Sequence, residues 1–299
     1  MSLFGDKNDS QAKQFERLEK EIKRLGARIV RMQEALGRVE ARQCAAAEDL
    51  PASEFRVFSQ WGEDGIIQFL LSKVKVPRKV FIEFGVESYV EANTLFLLTN
   101  NNWSGLVLDG SGENIRRIKR SAMYWQYNLK AVEAFITREN INVLLAENGM
   151  SGEIGLLSID IDGNDYWVWQ AIDTVSPAIL VLEYNARFGA TEAVTIPYDP
   201  AFMRAKAHYS HIYYGASLGA LTRLSRSKGY ALVGCNSAGN NAFFVRKDLR
   251  PESVPELSVE AAFVKNQFRE ARRKDGTLAV LDFEQEQKLV FSLPLERVP

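Results

Sequence analysis

From Phe15 to Val39 the apolar residues fall at Phe15, Leu18, Ile22, Leu25, Ile29, Met32, Leu36 and Val39, in steps that alternate three and four. This is a strict a/d heptad seam, narrower than the stripe by which a helix usually sits on a globular core. Isoleucine at a (Ile22, Ile29) with leucine at d (Leu18, Leu25) favours a parallel dimer, the chain pairing with itself. The e and g positions carry few complementary charges, so the number of partners is weakly specified and a higher order stays open. At about 1.5 Å per residue the seam runs roughly 40 Å. The other reading of the same stripe is a single helix packed on its own domain.

Ala45 to Ser53 breaks the pattern with small residues and Pro51, and Ser53 reads as a helix cap. The segment from Phe58 to Leu71 has a polar lead-in and an amphipathic second half, which predicts a helix covering a sheet. Gln60 and Asp64 in the lead-in are candidates to reach a ligand.

Beyond this the period changes. Val80–Phe84 is a continuous apolar run interrupted by Glu83 and stopped by Gly85, the pattern of a buried parallel strand arriving at a tight turn. Later strands are expected at Trp103–Asp109, Leu129–Thr137, Gly155–Asp162 and Ala178–Glu183, with helices from Glu91 and over Ile115–Met123 between them. Four of these strands close on an acid: Glu83, Asp109, Asp160 with Asp162, and Glu183. Ligands in open α/β sheets collect at the carboxyl ends of the strands, so these acids mark a site. Asp109 comes after Gly85 at about the spacing of the acid that binds ribose hydroxyls in a nucleotide-binding βαβ unit. A calcium loop at Asp160–Ala171 fails, because its glycine is misplaced and its twelfth position is Ala171. Asn164 or Asp165 is the expected cap of the helix that runs through Trp169.

The stretch from Asn185 to Ser217 is long, irregular and aromatic, and it holds both histidines, His208 and His211. It is expected to be a lid or binding loop. A helix over Leu218–Lys228 and a hairpin, Tyr230–Cys235 with Ala242–Val245, complete the α/β pattern. Past Pro251, a helix over Val259–Arg273 and a short strand near Leu289 are expected. The chain therefore divides into a coiled-coil helix over 1–50, an α/β domain over 51–250 and a C-terminal extension over 251–299 packed on it. The fold class is a doubly wound, mostly parallel seven-stranded sheet with an antiparallel last strand.

Composition narrows the function. With 299 residues, 46% hydrophobic, and a net charge of -1, the chain gives no general electrostatic reason to grip nucleic acid. No apolar run is long enough to span a bilayer. Met1–Gln14 is polar and predicts no secretory leader. Cys44 and Cys235 are too few and too far apart for a disulfide framework, which fits a reducing cytoplasm.

The segments SQWGEDGI, VFIEFGVES, EANTLFLL, WSGLVLDG, LLSIDIDGND, ILVLEYN, YYGASLGAL and GYALVGCNSAGNNAFFVR occur in that order between about Phe58 and Arg246. Together they resemble a class I S-adenosylmethionine-dependent methyltransferase, and locally its FkbM branch. The resemblance implies S-adenosylmethionine lying across the strand ends. Glu83 and Gly85 would hold its methionine part, with Gln60 nearby, while Asp109 with Gly110 would take the ribose. Phe135 would flank the adenine, and Asp160 would sit beside the sulfonium. The chain departs from the family pattern in one place, since its first loop carries Gly85 alone. No Asn/Asp-Pro-Pro-Tyr/Phe tetrapeptide comes after the fourth strand, which disfavours base-amine methylation. The branch implies an oxygen nucleophile, a hydroxyl of a sugar, polysaccharide or secondary metabolite.

Candidate bases for that hydroxyl are Asp160, Asp162, His208 and His211, with His208, His211 and Tyr214 as acceptor contacts. A divalent metal such as magnesium on Asp160, Asp162 and Glu183 is the alternative way to lower the hydroxyl pKa. Two other classes compete. One is a non-catalytic oligomeric assembly module with a degenerate nucleotide-type fold. The other, a nicotinamide oxidoreductase, lacks the Gly-x-Gly-x-x-Gly fingerprint and does not account for the final antiparallel pair.

Overall fold

The computed structural model of the chain describes residues 5–299. The first four residues of the polar stretch Met1–Gln14 lie outside them. The strands are β1 (Val80–Phe84), β2 (Ser104–Asp109), β3 (Leu129–Glu133), β4 (Gly152–Ile159), β5 (Val175–Glu183), β6 (Val194–Thr195), β7 (Tyr230–Cys235), β8 (Asn241–Arg246) and β9 (Glu296–Arg297). Seven of them form one sheet in the order β3-β2-β1-β4-β5-β8-β7, and β6 pairs with β9 separately. β1 to β5 are parallel, while β8 runs antiparallel to both β5 and β7. The order reverses between β1 and β4, so a crevice opens at the carboxyl ends of those two strands. The expected doubly wound, mostly parallel sheet is therefore the observed one.

Strand alternation supplies both faces. Ile82, Leu106, Leu157 and Leu180 point into one core with Ile141, Trp169 and Leu221 from the helices on that side. Phe81, Val107, Leu156 and Val181 point into the other with Ile66, Leu70, Leu97 and Ile118. Burial on both faces is why the strands read as unbroken apolar runs.

At the N-terminal end α1 (Gly5–Cys44) is one long helix, and α2 (Leu50–Ser53) is a single turn at Pro51. The cap of α2 is Asp49, which accepts from Ala52 N at 2.9 Å; Ser53 instead donates to the Leu50 carbonyl. Next come α3 (Glu63–Lys73) and α4 (Leu95–Asn100). The latter begins four residues later than its apolar pattern suggests, because Asn93 and Thr94 donate their backbone N–H groups to Glu83. The helix expected over 115–123 is two pieces, Gly112–Arg120 and Ala122–Gln126, parted at Ser121.

The C-terminal extension differs most from its sequence pattern. Of the helix expected over Val259–Arg273, only Val259–Ala262 is helical. The segment after it runs irregularly over the domain, with Gln267 N on the Ala238 carbonyl and Arg272 N on Ser210. Leu289 sits in a helix, Phe283–Phe291, opened by a reciprocal Asp282–Gln285 cap, rather than in a strand. Phe188, Val194, Ile212, Ala271 and Val290 make a third small core beneath it. No described helix is long and apolar enough to cross a membrane.

Candidate active site

The cleft at the strand ends, about 650 Å³, starts where β1 stops. Gly85 has φ of +72°, and a Cβ there would sit 1.7 Å from the Asp160 carbonyl oxygen. Only glycine lets the β1 turn pass this close to the β4 turn. Glu83, 5% exposed, accepts from Asn93 N at 2.8 Å, Thr94 N at 3.0 Å and the Thr94 hydroxyl. It folds the 85–94 loop back over the strand end. Burial outweighs these donors and raises its pKa to about 7.

At the end of β2, Asp109 accepts from Glu87 N at 2.7 Å, Ser111 N at 2.8 Å and Asn114 Nδ2 at 3.0 Å. A carboxylate offers about four acceptor positions, so one remains for a hydroxyl in the cleft. Phe135, 50% exposed, stands beside Gly110, where a Cβ would meet its ring at 3.6 Å. The ring supplies a flat apolar wall next to Asp109.

The acids of β4 and β5 make the deeper half. Carboxylate oxygens of Asp160, Asp165 and Glu183 lie within 4.8 Å of one another. Burial, and then the neighbouring carboxylates, push Asp160 and Glu183 well above the usual carboxylate range. Buried carboxyls this close cannot both ionise, so Asp160 and Glu183 hold a proton between them. Oε2 of Glu183 is buried and without a hydrogen-bond partner among the described residues.

Asp165 braces the β4 turn, accepting from Ile161 N and Gly163 N at 2.9 Å each. It is the first residue of the next helix (Asp165–Ala171), and Asn164 ahead of it makes no side-chain cap. The strand ends at Ile159, Asp162 takes a left-handed φ of 57°, and its exposed side chain pairs with Arg204 at 2.5 Å. The acids close enough to share a ligand are thus Asp160, Asp165 and Glu183, with Asp162 replaced by Asp165.

Gln60, Glu83, Gly85, Asp109, Gly110, Phe135 and Asp160, seven residues expected around a cofactor, all line this one cleft. Asp162 and Glu183 line it too, whereas His208, His211 and Tyr214 do not. His208 bonds to Ser210 at 2.7 Å and packs on Tyr209. His211 meets the site through its backbone carbonyl, which accepts from Arg204 Nε at 2.6 Å. Tyr214 is 1% exposed beneath Arg204, its hydroxyl on Glu270 at 3.2 Å. Asp64 also lies outside the cleft: its Oδ2 gathers the N–H groups of Val57, Phe58 and Ser59, each within 2.8 Å.

Several lining residues had no signal in the local pattern. Phe202 and Arg204 enter from the long loop, and Phe268, Arg269 and Glu270 from the C-terminal segment. Trp61 stacks on Phe268 with centroids 5.4 Å apart and planes at 17°, joining the two ends of the domain at the cleft. Arg204 pairs with Glu270, which also pairs with the buried Arg187 at 2.8 Å. Arg187 is held from behind by Glu286 at 2.8 Å. The one sequence signal for this half was the set of unpaired acids at the ends of β4 and β5, which call for a cation from elsewhere in the chain.

No family model and no curated protein matches the chain. Among solved structures it is similar to an O-methyltransferase from Bacillus cereus in complex with SAH. The identity is 14%, the match covers 69% of this chain and 87% of that one, and the TM-score is 0.39. It is similar to the DszA carbon methyltransferase at 15% identity, covering 63% and 54%, with a TM-score of 0.39. A putative caffeoyl-CoA O-methyltransferase from Staphylococcus aureus is 10% identical, with coverage of 62% and 82% and a TM-score of 0.38. These three solved structures are methyltransferases, and the chain's own doubly wound Rossmann-like sheet is read directly from the strand order.

Proposed function

We propose that the chain is an S-adenosylmethionine-dependent O-methyltransferase of the FkbM type, acting on a hydroxyl of a sugar, polysaccharide or secondary metabolite. The observation that carries this reading is the division of the cleft. Asp109, with one acceptor position left, stands beside Phe135 over β2 and β3, and the proton-sharing Asp160–Glu183 pair lies across the switch point from it. A nucleoside fits the first half and a proton-losing acceptor the second.

When bound, S-adenosylmethionine supplies a methyl group on a positively charged sulfur. Asp109 would take the ribose hydroxyls and Gly85 would leave room for the methionine chain. As the acceptor oxygen takes the methyl group from that sulfur, its hydroxyl proton would go to the Asp160–Glu183 pair. Burial makes this pair a stronger base than a free carboxylate, and base catalysis of this kind contributes roughly 10²–10⁴-fold. Trp61 and Phe202 offer apolar faces to a sugar ring, while the acids around them disfavour an anionic acceptor.

The donor set also suits a hard dication such as magnesium, with the partnerless Glu183 Oε2 as the observation that favours it. Asp160, Asp165 and Glu183 would hold it, and it would acidify the acceptor hydroxyl. Chelation separates the two: turnover that survives chelator assigns the proton to the carboxyl pair alone. The free buried cysteines Cys44 and Cys235 agree with a cytoplasmic setting for this activity.

The test is calorimetry with S-adenosylmethionine. Wild type should bind, and Asp109→Ala should weaken binding by about 1.5–3 kcal/mol, the range for a hydrogen bond to a charged group. Equal affinity in the variant removes Asp109 from the site. If wild type does not bind, the alternative holds, a non-catalytic oligomeric assembly module on a degenerate nucleotide-type fold.

A further inference from the structure

The long helix α1 is attached to the domain by its last turns only. Gly37 is buried, and a Cβ there would meet Val57 Cγ2 at 2.4 Å and the Phe96 ring at 3.1 Å. Cys44 is 6% exposed, Ala41 is half-buried between them, and Lys73 Nζ reaches the Ala45 carbonyl at 3.0 Å. In the heptad these contacts use positions b and f. The a/d face points elsewhere: its eight large apolar side chains are all between 47% and 69% exposed. The reading of the stripe as a helix packed on its own domain is thereby excluded. A different face does that docking.

We infer that the a/d face of α1 is the interface with a second copy of this chain, paired parallel and in register. Eight apolar residues on each helix come to roughly the 800 Å² per partner that a specific interface buries. In that register each g position meets the e position of the next heptad: Glu21 meets Gly26, Arg28 meets Gln33 and Ala35 meets Glu40. No like charges are opposed. The seam is also too narrow for a lipid surface, since two apolar positions in seven leave Glu and Arg at the flanks of any face laid on a bilayer.

The pairing has a consequence for the cleft. Because α1 joins the domain at its C-terminal turns, a parallel pair holds both domains at the same end of the coil. Gly37 packs on Val57, whose N–H is gathered with those of Phe58 and Ser59 by Asp64, immediately before Gln60 and Trp61. The coil therefore starts against the loop that leads into the cleft, and two clefts are held at a fixed spacing.

Light scattering and sedimentation of the full chain should give twice the 33.7 kDa protomer mass. The Ile22→Asp/Ile29→Asp double variant should run as a monomer with an unchanged melting temperature, since neither residue touches the α/β domain. Ile22→Cys should form a covalent dimer on oxidation, because in-register parallel pairing sets each a position beside its own copy. A monomeric or higher-order wild type, or a double variant that stays dimeric, overturns the inference. So does a wild type that is monomeric in solution and sediments with vesicles of phosphatidylglycerol and phosphatidylcholine. Dimers that give no Ile22→Cys cross-link overturn the parallel register.

Discussion

Glu83 shows how much of this site is held by buried carboxyls that retain protons unusually well. Burial lifts Glu83 to about 7, and Asp64 and Asp165 to about 6 each. In the unfolded chain these groups titrate near 4.5 for Glu83 and 3.8 for the two aspartates. Between the unfolded and folded values the native state binds more protons than the unfolded one. Stability from such a group is therefore greatest below the unfolded value and falls as pH rises to the folded value. For Glu83 that window is pH 4.5 to 7. Glu83→Gln should flatten the fall in melting temperature across this window relative to wild type. Parallel profiles for the two proteins would mean that Glu83 is not held with a raised pKa. Asp160 and Glu183 obey the same logic in the activity. Only the doubly protonated pair must give up a proton before it can take one from the acceptor, and raised pKa values place that acidic limb of turnover above the usual carboxylate range.

Among the elements, the loop before α3 is where the sequence says most about its own purpose. Glu63 is fully buried and accepts from Trp61 N and Gly62 N at 2.9 Å, and from the side chains of Asn236 and Asn241 at 2.8 Å. It ties the β7–β8 hairpin to the residues that bring Gln60 and Trp61 to the cleft. Glu63→Ala would take an acceptor from four donors, three of them buried, and each buried donor left unpaired costs about 1–3 kcal/mol. Urea unfolding should show a loss of several kcal/mol, with weaker S-adenosylmethionine binding at temperatures where the variant is folded. Neutral stability would show that water replaces the carboxylate. The β half of the site was legible for a simple reason: a strand buried on both faces ends where its apolar run ends, and the first polar residue is at the mouth. Glu83, Asp109, Asp160 and Glu183 all obey that rule. Arg204 and Phe268 do not, since the segments carrying them have no period and their positions are set by distant partners. His208 and His211 stood out only by rarity, which is not a physical reason to line a cleft. The expected helix over Val259–Arg273 failed similarly, because the backbone beyond Ala262 is taken up by contacts with Ala238 and Ser210.

For the whole molecule, the net charge of -1 conceals an uneven distribution. Among the described residues, the cleft is lined by eight carboxylates and two guanidinium groups. Of the two, Arg204 is already committed to Asp162 and Glu270. A recess with one sign of charge and low-dielectric walls concentrates its field, so it attracts cations and repels anions beyond the range of direct contacts. S-adenosylmethionine carries one net positive charge, and its demethylated product carries none. Rising ionic strength shortens the Debye length from about 10 Å at 0.1 M to about 3 Å at 1 M. The affinity for S-adenosylmethionine should therefore fall with salt while that for the product stays nearly flat. The ratio of the two affinities should change several-fold between about 0.05 and 0.5 M, a span estimated from the same screening. Arg269→Glu, which reverses the cation with no ion pair at the rim, should steepen the dependence for the charged ligand only. Acceptors bearing a carboxylate or phosphate should react more slowly than neutral polyols, and the gap should narrow as salt is added. Calorimetry across a salt series with both ligands decides the matter, and equal slopes would mean that the carboxylates are neutralised where the ligand binds. Proton sharing removes one charge from Asp160 and Glu183 together, so it leaves the cleft acidic. A bound dication would remove two, and a flat profile that turns steep on adding chelator would identify it.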